Sequence, residues 1–171
     1  HSDSRRQRQM CIRDRDWTDY NEHMNMAYYV LIFDEAWETM LNKFDMGGAK
    51  AQINKRSTMV VETRTTYDNE VKENEEVDVY CTFFDHDKKR LHLKCEMIEK
   101  KTGKLAATTE SISLYIDLEK RKVTEFEEDK IKIMDDFINE NKNSFKSDKL
   151  VLADKLKKLS LIHISEPTRR L

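Results

Sequence analysis

The sequence predicts a single α+β domain: one apolar helix, then an antiparallel meander of four strands, then a covering helix. Three observations carry this. Phe33, Ala36, Trp37, Met40, Leu41 and Phe44 recur at helical spacing, directly after a stretch from Ala27 to Ile32 that is apolar on every side. Four stretches between Ser57 and Asp117 are rich in β-branched residues or alternate with period two, with short turns between them. Ile131, Ile133, Met134, Phe137 and Ile138 then return to helical spacing.

Taken in order, the ends come first because they bound the domain. Arg5 to Arg15 (RRQRQMCIRDR) and Leu159 to Leu171 (LSLIHISEPTRRL) resemble translated sequencing-adapter read-through; the chain begins with His1, and its only proline, Pro167, falls in the second segment. Residues 1–15 and 159–171 are therefore expected to be non-native, leaving a domain at 16–158 with a helical extension at its C-terminal end. The terminal arginines are not read as a binding arm. With 31 Lys and Arg against 33 Asp and Glu, interspersed, the charge pattern points away from nucleic acid. No run of about 18 apolar residues and no signal peptide stands out, so a cytoplasmic protein without a membrane span is expected.

Asn25 suits the N-cap of the apolar helix, and Gly47-Gly48 would close it in the left-handed conformation that a C-terminus favours. The all-round apolar start implies that protein wraps the helix. Ala49 to Arg56 reads as a connection. The strands are expected at Ser57 to Asp68, Glu75 to Asp85, Arg90 to Lys100 and Leu105 to Asp117, turning at Asp87-Lys88-Lys89 and Lys101-Thr102-Gly103. The last strand carries Ala106, Ala107, Thr108, Thr109 and Ser111, small enough for Ala27 to Trp37 to dock against them. A second helix is expected over Phe126 to Asn141, with a further short turn at Val151 to Leu159. Cys11, Cys81 and Cys95 have neither CxxC spacing nor a matched histidine pair, so neither a zinc site nor a disulfide framework is expected; Cys81 and Cys95 read as strand packing.

Three polar groups, Asp19, Asn21 and His23, fall within five residues just ahead of the apolar helix, which places a candidate site at a helix entrance. The same three residues would also serve as ordinary capping and turn residues.

The stretch WTDYNEHMNMAYY (Trp17 to Tyr29), with the later pieces Lys89-Arg90-Leu91-His92 and Leu105-Ala106-Ala107-Thr108, resembles the hotdog-fold acyl-CoA thioesterases, and among them the betainyl-CoA thioesterases found alone or fused to carnitine dehydrogenase. The resemblance implies a hotdog fold, an antiparallel sheet wrapped around a long central helix. It also implies an acyl-CoA substrate, a homodimer or higher homo-oligomer, and no metal or organic cofactor. Glu22 stands where the family has glycine, and Met26 where it often has an acid or amide. The family's first strand would lie in the adapter-like segment, so it is expected to be truncated.

On this resemblance Asp19 is the catalytic base or nucleophile, Asn21 and His23 orient water or the carbonyl, and N–H groups of the first helical turn after Asn25 receive the developing negative charge. Trp17, Tyr20, Tyr28 and Tyr29 could face a trimethylammonium group, and His92 could stand on the substrate side. Glu35 and Glu110 are weaker candidates. Lys88-Lys89-Arg90 and Lys100-Lys101-Lys104 offer cations for the CoA phosphates at two turns, which a meander places at opposite ends. Two other readings stay open. One is a hotdog enoyl-CoA hydratase, whose D-x-N-P-x-H motif Asp19-x-Asn21 partly matches, without the proline and with His23 one residue early. The other is a non-catalytic acyl-CoA sensor.

Overall fold

The computed structural model describes residues 6–11, 17–141, 150–154 and 156. Along the chain run β1 (Arg6–Cys11), α1 (Met26–Lys43), α2 (Gly48–Asn54), β2 (Arg56–Tyr67), β3 (Glu76–His86), β4 (Arg90–Glu99), β5 (Leu105–Asp117), β6 (Lys122–Val123) and α3 (Glu128–Asn141). The strands form one antiparallel sheet in the order β1-β3-β4-β5-β2, with β6 pairing the end of β5. All four expected long strands are present with small differences at their ends. The place of the first strand is taken by Arg6–Cys11, six residues paired with β3 from Cys81 to Glu76.

Period two explains the core. Val77, Val79, Cys81 and Phe83 of β3, with Leu91, Leu93, Cys95 and Met97 of β4, point to one face and meet Tyr29, Ile32, Phe33, Ala36, Trp37, Met40 and Leu41 of α1 in a single cluster. Phe44, Phe83 and Phe137 join it at the far end of α1, where α3 packs. Lys130, 5% exposed, anchors α3 through Asp45 Oδ2 at 3.0 Å. His86 adds a second tie, Nε2 to Asp135 Oδ1 at 2.9 Å.

Several local expectations are corrected. α1 does not end on glycine: Phe44 is the C-cap and Asp45 takes the left-handed conformation at φ 57°. Gly47 is needed for space instead, since a Cβ there would collide with the side-chain amide of Asn42. Residues 48–54 are helical rather than a simple connection, because Glu38 Oε1 accepts the Gly48 N–H at 2.6 Å and so satisfies a first-turn donor. Cys81 and Cys95 are not merely packed. The antiparallel register sets them directly opposite with Cα atoms 4.2 Å apart, and they form a cross-strand disulfide.

The helix also lies elsewhere than expected. α1 crosses the sheet over β3, with β1 and β4 beside it, rather than docking on the small residues of β5. Two of those small residues, Thr109 and Ser111, instead line a cavity of 220 Å³, bounded by Val30, Phe33, Asp34 and Trp37 on one side and by β2, β4 and β5 on the other. Nor is α1 wrapped all round by its own chain. Met26, Val30 and Leu31 are 65%, 55% and 41% exposed.

Candidate active site

The segment before α1 folds back on itself because its backbone groups find partners at both ends. The Asp19 N–H donates to His23 O at 2.8 Å, the Glu22 N–H to Asp19 O at 3.0 Å, and the Asn25 N–H to Trp17 O at 2.8 Å. Glu22 holds φ 63°, the left-handed conformation that costs a side-chain-bearing residue roughly 1 kcal/mol and that glycine takes freely. That is why glycine suits this place. The Met24 N–H donates to Val71 O at 2.8 Å, and His23 bridges to Lys72, so the loop is fixed to the β2–β3 connection.

Within this loop the Asp19 carboxylate is held through one oxygen. Oδ1 accepts the N–H groups of Asn21 at 2.8 Å and His23 at 3.3 Å, while Oδ2 has no hydrogen bond among the described residues. Asn25 caps α1, its Oδ1 taking the Ala27 N–H at 3.0 Å, and the Tyr28 N–H turns back to Asn25 O. Of the first-turn donors this leaves the Met26 N–H without a partner among the described residues. A carboxylate oxygen and a backbone donor thus stand at opposite ends of a short, well-tied loop, with the positive end of the helix dipole behind them.

The His23 ring pairs with Glu70, its Nε2 lying 2.8 Å from Glu70 Oε2. Glu70 is held below its ordinary carboxylate range, chiefly by the hydrogen bond from the Lys72 ammonium at 3.0 Å. Asn21 is exposed at the turn.

The four aromatic residues considered for a cation do not converge. Trp17 stacks on Tyr28 at 4.6 Å, Tyr20 is 94% exposed, and Tyr29 is buried with its hydroxyl accepting the Val71 N–H at 3.2 Å. Burial raises the Tyr29 pKa. His92 is also away from the site. It lies between the inward-facing Leu91 and Leu93, so it points through the opposite face, where its Nε2 meets Glu110 Oε1 at 2.8 Å. Glu110 also accepts the N–H groups of Val151 and Leu152, which fastens the C-terminal turn over Ile112. Glu35 is half-buried on α1. Of the two basic clusters, Lys100-Lys101-Lys104 lies at the same end as the Asp19 loop, because the Lys100 N–H donates to Glu76 O just after the β2–β3 connection. Arg90 and Lys89, at the other end, pair with Asp87 and Glu125.

Residues 14–138 match the thioesterase-like superfamily. The chain belongs to this family. It is a thioesterase-family enzyme, an acyl-CoA thioester hydrolase of hotdog fold. Among curated relatives it is 28% identical over 112 residues to a betainyl-CoA thioesterase of Pseudomonas aeruginosa, covering 66% of this chain and 70% of that one. It is 26% identical over 101 residues to the L-carnitine dehydrogenase/betainyl-CoA thioesterase of Rhizobium meliloti, 59% of this chain and 20% of that longer protein. Among solved structures, a Staphylococcus aureus protein in complex with CoA superposes with TM-score 0.73 at 22% identity, covering 79% of this chain and 84% of that one. The DHNA-CoA thioesterase of Staphylococcus aureus does so with TM-score 0.73 at 16% identity, covering 83% and 95%. β1 lies ahead of the matched residues. No helix among the described residues is long and apolar enough to cross a membrane.

Proposed function

We propose that this enzyme hydrolyses a short acyl-CoA in the cytoplasm, with betainyl-CoA the leading substrate, and that Asp19 is its base or nucleophile. The observation that carries the reading is the Asp19 carboxylate, fixed through Oδ1 by two backbone N–H groups, with Oδ2 free of hydrogen bonds among the described residues, in the loop that leads into α1. A carboxylate held this way is oriented before substrate arrives, and the Met26 N–H with the helix dipole supplies the positive field that an oxyanion needs. Asn21 and His23 shape the loop that holds it. Lys101 and Lys104, exposed and at the same end, suit the phosphates of CoA. The chemistry needs no metal or organic cofactor.

The same reading includes a homodimer. β2 is an edge strand whose Met59, Val60 and Val61 are 45%, 48% and 54% exposed, and such an edge is a template for a second strand. A second β2, antiparallel across a two-fold axis normal to the sheet, keeps both α1 helices on one face and reverses their directions.

The test is thiol release, followed with a colorimetric thiol reagent, over a panel of acyl-CoAs that includes betainyl-CoA. Turnover that vanishes in Asp19→Ala while circular dichroism is unchanged supports the reading. Unchanged turnover in that variant refutes Asp19. Sedimentation of a Val60→Lys variant as a monomer, against a dimeric parent, supports the edge-strand dimer; a monomeric parent refutes it.

A further inference from the structure

The cavity between α1 and the sheet has one chemical peculiarity. Its walls are apolar (Val30, Phe33, Trp37, Val60, Leu93) or bear hydroxyls, and Asp34 alone among its lining residues carries a formal charge. Asp34 is an exposed residue of this lining, and its carboxylate has no hydrogen-bond or ion-pair partner among the described residues. Trp37, one helical turn further on, presents its indole to the same space, as does Phe33. An exposed carboxylate beside an indole, over walls that are mostly apolar with a few hydroxyls, is complementary to a cation that cannot donate hydrogen bonds, since the indole attracts its charge and the apolar walls match its methyl groups. A primary ammonium would want acceptors on three sides. A quaternary ammonium wants none.

Distance decides how such a group could reach the chemistry. Asp34 lies nine residues beyond the N-cap Asn25, so it is about 13 Å further along the α1 axis than the helix start. In a betaine-like acyl group only one methylene separates the nitrogen from the carbonyl. One protomer therefore cannot hold the cation at Asp34 and present the carbonyl to its own Asp19. A second protomer paired at the β2 edge would remove the conflict, because Val30 and Val60, exposed on the side it would cover, both line the cavity and leave it open to that protomer's own Asp19 loop.

We propose that Asp34, with Trp37 and Phe33, is the specificity pocket for a quaternary-ammonium acyl group, whose thioester is presented to Asp19 of a second protomer. This rests on the hydrolase reading above and goes further, naming the residue that recognises the charge. The same carboxylate disfavours acyl groups ending in a carboxylate, so selection works by repulsion as well as attraction.

The experiment compares betainyl-CoA with 3,3-dimethylbutyryl-CoA, in which carbon replaces nitrogen and shape is kept while charge is lost. The readout is the ratio of the two kcat/KM values, so losses common to both cancel. The parent enzyme is expected to favour the cation by about tenfold or more. Asp34→Asn should bring the ratio towards unity, and Asp34→Glu, which restores the charge, should recover part of it. A parent ratio near one, or a ratio that Asp34→Asn leaves unchanged, overturns the Asp34 assignment while thiol release still upholds the hydrolase. Absence of thiol release from every acyl-CoA tested, by protein shown to be folded, overturns the hydrolase reading and this proposal with it.

Discussion

Replacing Asp19 by asparagine separates chemistry from structure more cleanly than replacing it by alanine. An asparagine Oδ1 can accept the same two bonds, from Asn21 N–H at 2.8 Å and His23 N–H at 3.3 Å, so the loop should stand. Alanine leaves both donors to water. Loss of a capping side chain of this kind costs about 1 kcal/mol, and in a domain of this size that lowers Tm by roughly 2–4 °C. The catalytic loss should be far larger and alike in both variants. A positioned general base contributes about 10²–10⁴-fold, equivalent to roughly 3–5 kcal/mol of barrier, and an amide nitrogen or oxygen supplies none of it. The assay pairs thermal unfolding with thiol release from the best acyl-CoA. The expected pattern is an unchanged Tm with at least a hundredfold lower kcat for Asp19→Asn, and a slightly lower Tm with a similar kcat for Asp19→Ala. If Asp19→Asn keeps more than a tenth of the parent kcat, Asp19 is a turn residue and the base is elsewhere.

Other consequences can be measured on the same protein. Glu110→Ala removes the acceptor for His92, Val151 and Leu152 at a site only 3% exposed, so stability should fall by about 3 kcal/mol and amide exchange at Val151 and Leu152 should accelerate; a loss under about 1 kcal/mol refutes the clamp. Asp45 is held below its ordinary pKa of 3.8, chiefly by the Lys130 ammonium. Its contribution is therefore complete above that pH and is lost as pH falls through the lowered value. For Lys130, burial pulls the pKa down, but Asp45 and Asp129 outweigh it and hold the group above 10.5, so its contribution persists until pH rises past that point. Urea unfolding from pH 5 to 2 should accordingly show a shallower acid loss for Lys130→Met than for the parent; identical slopes refute the pairing. If residues 1–15 are non-native, β1 contributes backbone pairing and little else, so scrambling residues 6–11 should change stability by less than about 1 kcal/mol, and a loss above about 2 kcal/mol shows a strand fitted to its neighbours.

Much of this architecture is legible in sequence because single-element periodicities report it. Alternation along β3 and β4 predicts which residues face α1, and the same parity places His92 outside: with Leu91 and Leu93 inward, the residue between them points away. The Asn25 cap is read correctly because capping is local, a side chain meeting an N–H two residues on. The end of α1 is misread for a non-local reason. Gly47 is required by the Asn42 side chain one turn back, not by its own φ, and a pattern search cannot separate a glycine needed for conformation from one needed for room.

The lateral position of α1 is less accessible still, and the candidate site depends on it. Small residues on β5 can let a helix come close or can leave a space beside a helix that packs elsewhere, and composition is the same in both cases. The larger side chains decide: Phe83, Leu93 and Met97 gather α1 over β3 and β4, and the small side chains of Thr109 and Ser111 then bound the cavity. The all-round apolar start of α1 follows the same logic. It signals a need for cover on every side, yet cover by the chain's own sheet and cover by a second protomer leave the same pattern in one sequence. Met26, Val30 and Leu31 on the open side of α1 and Met59, Val60 and Val61 on the β2 edge are the part of that need which this chain does not meet itself. A second protomer placed there would cover these residues and close the mouth of the cavity, which ties substrate selection to assembly: a substitution that splits the dimer should weaken turnover even though it touches neither Asp19 nor Asp34.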